Sequence, residues 1–315
     1  MSDRHDKHRL FPAIGDEGQE AIRRARVTLV GCGALGSNSA EMLVRAGIGT
    51  APSAWIRIID RDYVSLSNLQ RQTLFDEEDA RRARPKALAA AKHLEAIDSE
   101  VTIDPIVRDL TPSSAEKLLA DSDVIVDATD NFPTRFLIND VAIASETPWI
   151  YGGVVASRGI ASFILPGRSP CLRCLLEQVP AIGSVESCDT AGVITPLPAI
   201  VSGWQVAGAL RWIVQKELEP GIFTFDPWHG TFARALRDAE PDPGCRSCGT
   251  KELPSLRESR ERVVTLCGRN SVQISGELPV ELDSAASRLR SIARIERSEQ
   301  SLSVFVDEGI LTLFA

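Results

Sequence analysis

Val27-Thr28-Leu29-Val30-Gly31-Cys32-Gly33-Ala34-Leu35-Gly36 decides the fold of this chain. A short β-branched run leads directly into glycines spaced G-x-G-x-x-G, and 37–46 then reads as a helix with Met42 and Leu43 on its apolar side. Strand, glycine loop and helix, in that order, let backbone N–H groups approach phosphates at a helix N-terminus. Working outward, 55–59 reads as a second strand ending at Asp60, where a carboxylate can accept hydrogen bonds from ribose hydroxyls. Pro85, as a first-turn residue, starts a helix through Leu88, Ala91, Leu94 and Ile97. A buried strand over 124–126 carries Asp127-Ala128-Thr129-Asp130-Asn131 at its carboxyl end, the end at which open α/β sheets bind ligands. Alternating strands and helices predict an α/β fold, a Rossmann-like, mostly parallel sheet with helices on both faces.

Composition bounds the function. A chain of 315 residues, 43% hydrophobic, can fill a substantial core in two domains, or in one large domain with an appendage. No apolar run approaches the roughly 20 residues that span a bilayer, and 1–9 is charged rather than signal-like, so no membrane role and a cytoplasmic location are expected. In that reducing compartment the seven cysteines are read as thiols and metal ligands. A net charge of −8 argues against nucleic acid as a partner, which leaves any anion site local.

The glycine loop alone is shared by binders of NAD, FAD and S-adenosylmethionine. The polar segment after Asp60, Ser65 to Gln72, has no role beside the ribose of an oxidoreductase, whereas a triphosphate needs cations. Arg71 can grip phosphate oxygens bidentately and Lys86 can add a point charge. Asp130 can hold a magnesium ion, because a hard cation prefers carboxylate oxygen. The bland alternative makes Arg71 and Lys86 solvated surface charges and Asp130 a helix cap. Cys171/Cys174 and Cys245/Cys248 form two Cys-x-x-Cys pairs, which supply the four soft ligands of a closed tetrahedral zinc site; metal-free thiols or a redox dithiol are the alternatives. No histidine stands at ligand spacing to either pair. Between the pairs, 197–218 reads as a long apolar helix, core or dimer interface, and 222–225 as a short strand.

Arg26 to Gly36, Ile59-Asp60-Arg61-Asp62 with Ser67 to Gln72, Arg84-Pro85-Lys86, Asp127 to Asn131 and both cysteine pairs resemble the ThiF/MoeB family, bacterial relatives of ubiquitin-activating enzymes that adenylate small sulfur-carrier proteins. The resemblance implies ATP rather than NAD, with Mg²⁺ and Zn²⁺ as further cofactors. It places Gly31, Gly33, Gly36, Asp60, Asp62, Ser67, Asn68, Leu69, Gln70, Arg71, Lys86, Asp130 and Asn131 at the nucleotide site, with Arg71, Lys86 and Asp130 acting in catalysis. It implies a homodimer in which an arm bearing Arg4 and Lys7 reaches the partner's ATP. It further implies a ubiquitin-like carrier ending in Gly-Gly, and a cysteine desulfurase or rhodanese-type protein as sulfur donor. Cys188 matches the loop cysteine that in relatives forms a thioester or acyl-disulfide with the carrier; the alternative is a spare thiol.

Three features depart from the family pattern. Lys7 stands where the arm usually has a second arginine, 50–54 reads as an insertion before the ribose strand, and a tail from Val263 resembles a small extra domain of thiazole-pathway members. That tail carries Leu282, Ala285, Ala286, Leu289, Ile292 and Ala293 on one helical face and ends inside an apparent strand, so a shortened extension is expected. The expected architecture is therefore an adenylation domain over 1–250, extended by antiparallel strands and holding the zinc site, then a linker and small α+β extension over 251–315. The expected function is carrier adenylation for thiazole synthesis, with a molybdopterin-synthase carrier, an NAD-dependent oxidoreductase or a non-catalytic carrier-binding subunit as the competing readings.

Overall fold

The computed structural model describes residues 4–180, 188–236, 239–257, 263–266, 271–274, 281–297, 301–306 and 309–314. The chain divides into two units, Met1–Ser259 and Arg260–Ala315. The first unit thus reaches past residue 250, because the backbone N–H of Ser255 donates to buried Asp140 at 2.7 Å and Leu253 is itself buried.

In the first unit the helices are α1 (Asp6–Arg9), α2 (Gly15–Arg24), α3 (Ala34–Ala46), α4 (Glu77–Arg81), α5 (Lys86–Ile97), α6 (Pro112–Leu119), α7 (Phe132–Ser145), α8 (Leu172–Leu175), α9 (Cys188–Ala191), α10 (Pro196–Gln215) and α11 (Pro254–Arg257). Eight strands form its sheet: β1 (Arg26–Val30), β2 (Trp55–Ile59), β3 (Ile103–Ile106), β4 (Val124–Asp127), β5 (Trp149–Val155), β6 (Arg158–Ile164), β7 (Gly221–Asp226) and β8 (Thr231–Ala235). Their order is β3-β2-β1-β4-β5-β6-β7-β8, parallel from β3 to β5 and antiparallel from β5 to β8. The strand order reverses between β1 and β4, and above such a switch point two loops splay apart and leave a crevice.

Side chains of the central strands alternate between two cores, as period-2 geometry requires. Val27, Leu29, Ile56, Ile58, Val124 and Val126 pack on one face with residues of α3, α5 and α10; Val30, Ile59 and Ile125 pack on the other with α6, α7 and the cysteine lobe. Helix α10 is 20 residues long and apolar enough by composition to cross a membrane, contrary to the sequence expectation that no such run exists. It lies instead against α2, α3, β5 and β6, with Leu197, Val201, Val206, Ala209 and Ile213 buried. It stops at Gln215, before the expected 218, because Lys216 adopts the left-handed conformation (φ 56°).

Two further local differences matter. Helix α3 begins at Ala34, inside the glycine fingerprint, with Gly33 as its N-cap. Pro85 is the N-cap of α5 (φ −55°, ψ 131°) rather than a residue of its first turn, which makes Lys86 the first helical residue. The 50–54 segment is a tight turn: Ala51 N–H donates to the Arg23 carbonyl at 3.1 Å, and Ala51 and Ala54 are buried.

In the second unit, β9 (Val263–Leu266) pairs antiparallel with β10 (Ser271–Ile274), and β11 (Arg294–Arg297), β12 (Ser301–Val306) and β13 (Gly309–Phe314) form a three-stranded antiparallel sheet. Helix α12 (Leu282–Leu289) packs Leu282 and Ala286 with Leu302 and Val304. Ile292 lies beyond the helix end and is 76% exposed, so it does not share the expected apolar face.

Candidate active site

The carboxyl ends of β1, β2 and β4 assemble the site. Gly31 takes φ +89° and a Cβ there would press into the Ala128 carbonyl; a Cβ on Gly36 would collide with the Gly31 carbonyl oxygen. Close backbone approach therefore demands both glycines. Gly33 differs. A Cβ there would meet only the Gln72 Nε2, 3.8 Å away, so the middle glycine opens onto the space where phosphates approach a helix N-terminus.

Asp60 accepts from the Cys32 N–H at 2.6 Å and from the Asp62 N–H at 2.7 Å, so it braces the glycine loop from the end of β2. Burial pushes its carboxyl up to about 6, against the pull of Lys86. Lys86 is buried, with Nζ 3.1 Å from Asp62 Oδ2, and its backbone N–H donates to the Asp62 carbonyl at 2.8 Å. Burial alone would lower the lysine's pKa; Asp60 and Asp62 outweigh it and raise the value. The ammonium is thereby kept charged beside the glycine loop.

The segment after Asp62 forms a 3₁₀ turn in which buried Asn68 Oδ1 accepts from the Ser65 N–H at 3.1 Å. Arg71 donates to the Ser67 carbonyl at 3.0 Å, and exposed Gln70 donates to Thr195 Oγ1 at 2.7 Å. That last bond ties the turn to the residue preceding α10. The Gly192–Ile194 segment just before it is clipped to β5–β6 by hydrogen bonds with Ala156 of 2.8 and 3.0 Å. Leu69 packs against the apolar core rather than into the crevice. At β4 the helix cap is Asn131, whose Oδ1 accepts from the Thr134 N–H at 3.0 Å, so Asp130 does not cap and is exposed. Among the described residues its carboxylate accepts from the Asn131 amide at 3.3 Å, and an exposed carboxylate oxygen suits a hard cation.

The structure therefore joins Gly31, Gly33, Gly36, Asp60, Asp62, Lys86 and the Asp127–Asn131 segment directly, and adds Ser67, Asn68 and Arg71 through one turn. Arg4 and Lys7 do not join it within one chain. Arg4 donates to the Ile97 carbonyl at 2.6 Å and pairs with Asp98 at 3.2 Å, at the far end of α5 from Lys86, a separation of roughly 17 Å at about 1.5 Å per residue. Lys7 is exposed. Cys188 opens α9, and its side chain lies outside the described residues.

Four thiols converge on the other face of the sheet. The Sγ separations are 3.8 Å for Cys171–Cys174, 3.6 Å for Cys171–Cys245 and 3.3 Å for Cys174–Cys248, and all four sulfurs lie within 4.8 Å of one another. A tetrahedral ion with bonds of about 2.3 Å sets its sulfurs about 3.8 Å apart, so the cluster fits zinc. Sequence reasoning missed what anchors it. Asn139 accepts from the Leu172 N–H at 2.8 Å, while fully buried Asp140 accepts from Ser247 and from the Ser255 N–H. Arg173 completes the lobe through Ser247 Oγ at 2.8 Å and Ser255 Oγ at 2.9 Å. Helix α7 thus follows the Asp127–Asn131 segment and, from its middle, anchors the cysteine lobe. Buried Gln72, beside Gly33, closes the polar segment that the sequence singles out, but was not named there as a site residue.

The family model of ThiF, described as the ThiF family, matches residues 5–247. The chain belongs to the ThiF family. It is 42% identical to the sulfur carrier protein ThiS adenylyltransferase of Bacillus subtilis, covering 92% of this chain and 85% of that one. It is 36% identical to the sulfur carrier protein adenylyltransferase of Thermus thermophilus, covering 81% and 93% respectively. This family member is thus an enzyme, a nucleotidyltransferase. The solved structure of Escherichia coli MccB with ATP shares the fold, at TM-score 0.65 and 20% identity over 79% of this chain and 75% of that one.

Proposed function

We propose that the protein adenylates the C-terminal Gly-Gly carboxylate of a ubiquitin-like sulfur carrier, at the expense of ATP, for synthesis of the thiazole of thiamine. The observation that carries the reading is the buried, charged Lys86 held beside an open glycine loop, in a chain 42% identical to a ThiS adenylyltransferase. Asn68, Arg71 and Lys86 together disfavour an NAD oxidoreductase.

The carrier's carboxylate oxygen attacks the α-phosphorus of ATP, the bond to the bridging oxygen breaks, and pyrophosphate leaves a mixed acyl–AMP anhydride. Arg71 and Lys86 neutralise the charge that develops on the departing pyrophosphate, while the Gly31–Gly36 loop donates backbone N–H groups. Asp60 holds the loop and faces the ribose. Mg²⁺, held at Asp130, would supply further charge neutralisation, and Zn²⁺, held by the four cysteines, would fix the lobe. Family membership supports a homodimer in which the arm serves the other copy's site, with Lys7 as a point charge; within one chain Arg4 pairs with Asp98 instead. Cys188 is the candidate acceptor that would take the acyl group as a thioester and expel AMP before a desulfurase or rhodanese-type donor delivers sulfur. A soluble, cytoplasmic setting goes with this chemistry.

The test is ATP–pyrophosphate exchange by the purified protein, with thiazole-type and molybdopterin-type carriers compared and Asp130→Ala beside them. Exchange that needs both carrier and Asp130 is expected, fastest with the thiazole carrier. Preference for the molybdopterin carrier would reassign the pathway, and zinc-loaded, folded protein without exchange would point to a carrier-binding subunit.

A further inference from the structure

We propose that Arg135 is a positioning residue for Asp130, acting through the peptide bond that joins Thr129 to Asp130. This rests on the adenylation reading above. Arg135 lies in the first turns of α7, a buried residue at 7% exposure. Its Nη2 donates to the Thr129 carbonyl at 2.6 Å and to the Gly152 carbonyl at 2.8 Å, and its Nη1 donates to the Tyr151 hydroxyl at 2.9 Å. The other end of Thr129 is held as firmly. Asp127 Oδ1 accepts from the Thr129 N–H at 2.8 Å and from its hydroxyl at 2.7 Å, and Asp127 Oδ2 stands 3.6 Å from Arg135 Nε.

Thr129 is therefore clamped at both its N–H and its carbonyl. The carbonyl belongs to the same planar peptide as the Asp130 N–H, so fixing that oxygen fixes the direction in which Asp130 leaves β4. A rigid planar fork spreads its donors over separate nitrogens and holds acceptors on β5 and on the segment after β4 in one fixed geometry, whereas the three donors of an ammonium radiate from a single nitrogen on a flexible stem. A buried ion pair is a poor way to gain stability alone, since an apolar packing of the same volume often does as well. Its location, one peptide from the exposed carboxylate at the switch point, gives it a use that apolar packing could not provide.

The experiment measures carrier-dependent pyrophosphate exchange by full-length protein against Mg²⁺ concentration, for wild type, Arg135→Lys and Tyr151→Phe, alongside thermal melts and zinc content. Arg135→Lys is expected to raise the Mg²⁺ midpoint and lower kcat by about 10- to 100-fold in folded, zinc-loaded protein. Tyr151→Phe should shift the midpoint in the same direction by less. A lowered Tm with unchanged Mg²⁺ midpoint and kcat would show that Arg135 only holds the fold, and overturns the proposal. If Arg135→Lys fails to fold, Tyr151→Phe decides: a wild-type Mg²⁺ midpoint in it is equally fatal. Wild type without any exchange would bring down the adenylation reading itself, and this role with it.

Discussion

Lys86 and Asp60 set each other's charge. Burial disfavours the ionised form of each, pushing the carboxyl to about 6, and the attraction between them works against both penalties. Asp60 in an unfolded chain titrates near 3.9, below its folded value, so its contribution to stability is present in acid and lost as pH rises from about 4 through 6. Lys86 offsets part of that loss by stabilising the carboxylate. Removing the lysine's charge should therefore move the Asp60 titration upward. We expect ¹³C NMR of the Asp60 carboxyl to show a midpoint near 6 in wild type and a higher midpoint in Lys86→Gln. An unmoved midpoint would mean that the two groups do not share the electrostatic coupling their geometry implies. At this scale the sequence exposed what spacing can expose: the glycine loop and Asp60 sit at strand ends, where a period-2 run stops, and Lys86 follows the proline that opens α5. It could not show that Asn131 rather than Asp130 caps α7, since both residues are good caps and only the folded backbone selects one.

Among elements, α7 joins the two halves of the first unit. Its N-terminal end follows Asp130, and its middle presents Asn139 and Asp140 to the cysteine lobe. Asp140 is fully buried and accepts from Ser247 and the Ser255 N–H, with Arg173 at 3.8 Å. Asp140→Ala would leave the buried Arg173 guanidinium without its carboxylate neighbour and two donors without their acceptor. A loss of about 3 to 5 kcal/mol is expected, the cost of breaking a buried pair from one side, together with weaker zinc retention. Denaturant titration and metal analysis would check this, and a loss under about 1 kcal/mol would contradict it. Central strands and the long helices were legible because their apolar periodicity is strong, and the Cys-x-x-Cys pairs because ligand spacing is local. The Asn139–Asp140 anchor was not, because its partners lie 33 to 115 residues away. The ends of α10 and α12 were misjudged for a related reason: apolar periodicity continued past Gln215 and Leu289, whereas a left-handed Lys216 and a turn at Arg290 stopped the helices.

For the whole molecule, the hydrophobic clusters follow the division into units. Both large cores draw their residues from the first unit, the last being Leu256, and the small cluster around Leu302 and Val304 draws only on residues from 282 onward. Every residue assigned above to the nucleotide and zinc sites also lies before Ser259. A unit with its own core and sites should fold independently. A chain ending at Ser259 is thus expected to keep its zinc, to unfold in one cooperative transition, and to exchange pyrophosphate within about twofold of the full-length rate. Its Tm should shift by less than about 4 °C, which corresponds to about 1 kcal/mol for a domain of this size. Calorimetry and the exchange assay would check both. Full stability with exchange lost would give the second unit a part in the reaction, through the carrier or the nucleotide, that its separate core does not by itself suggest; loss of folding would mean that the first core depends on residues beyond 259.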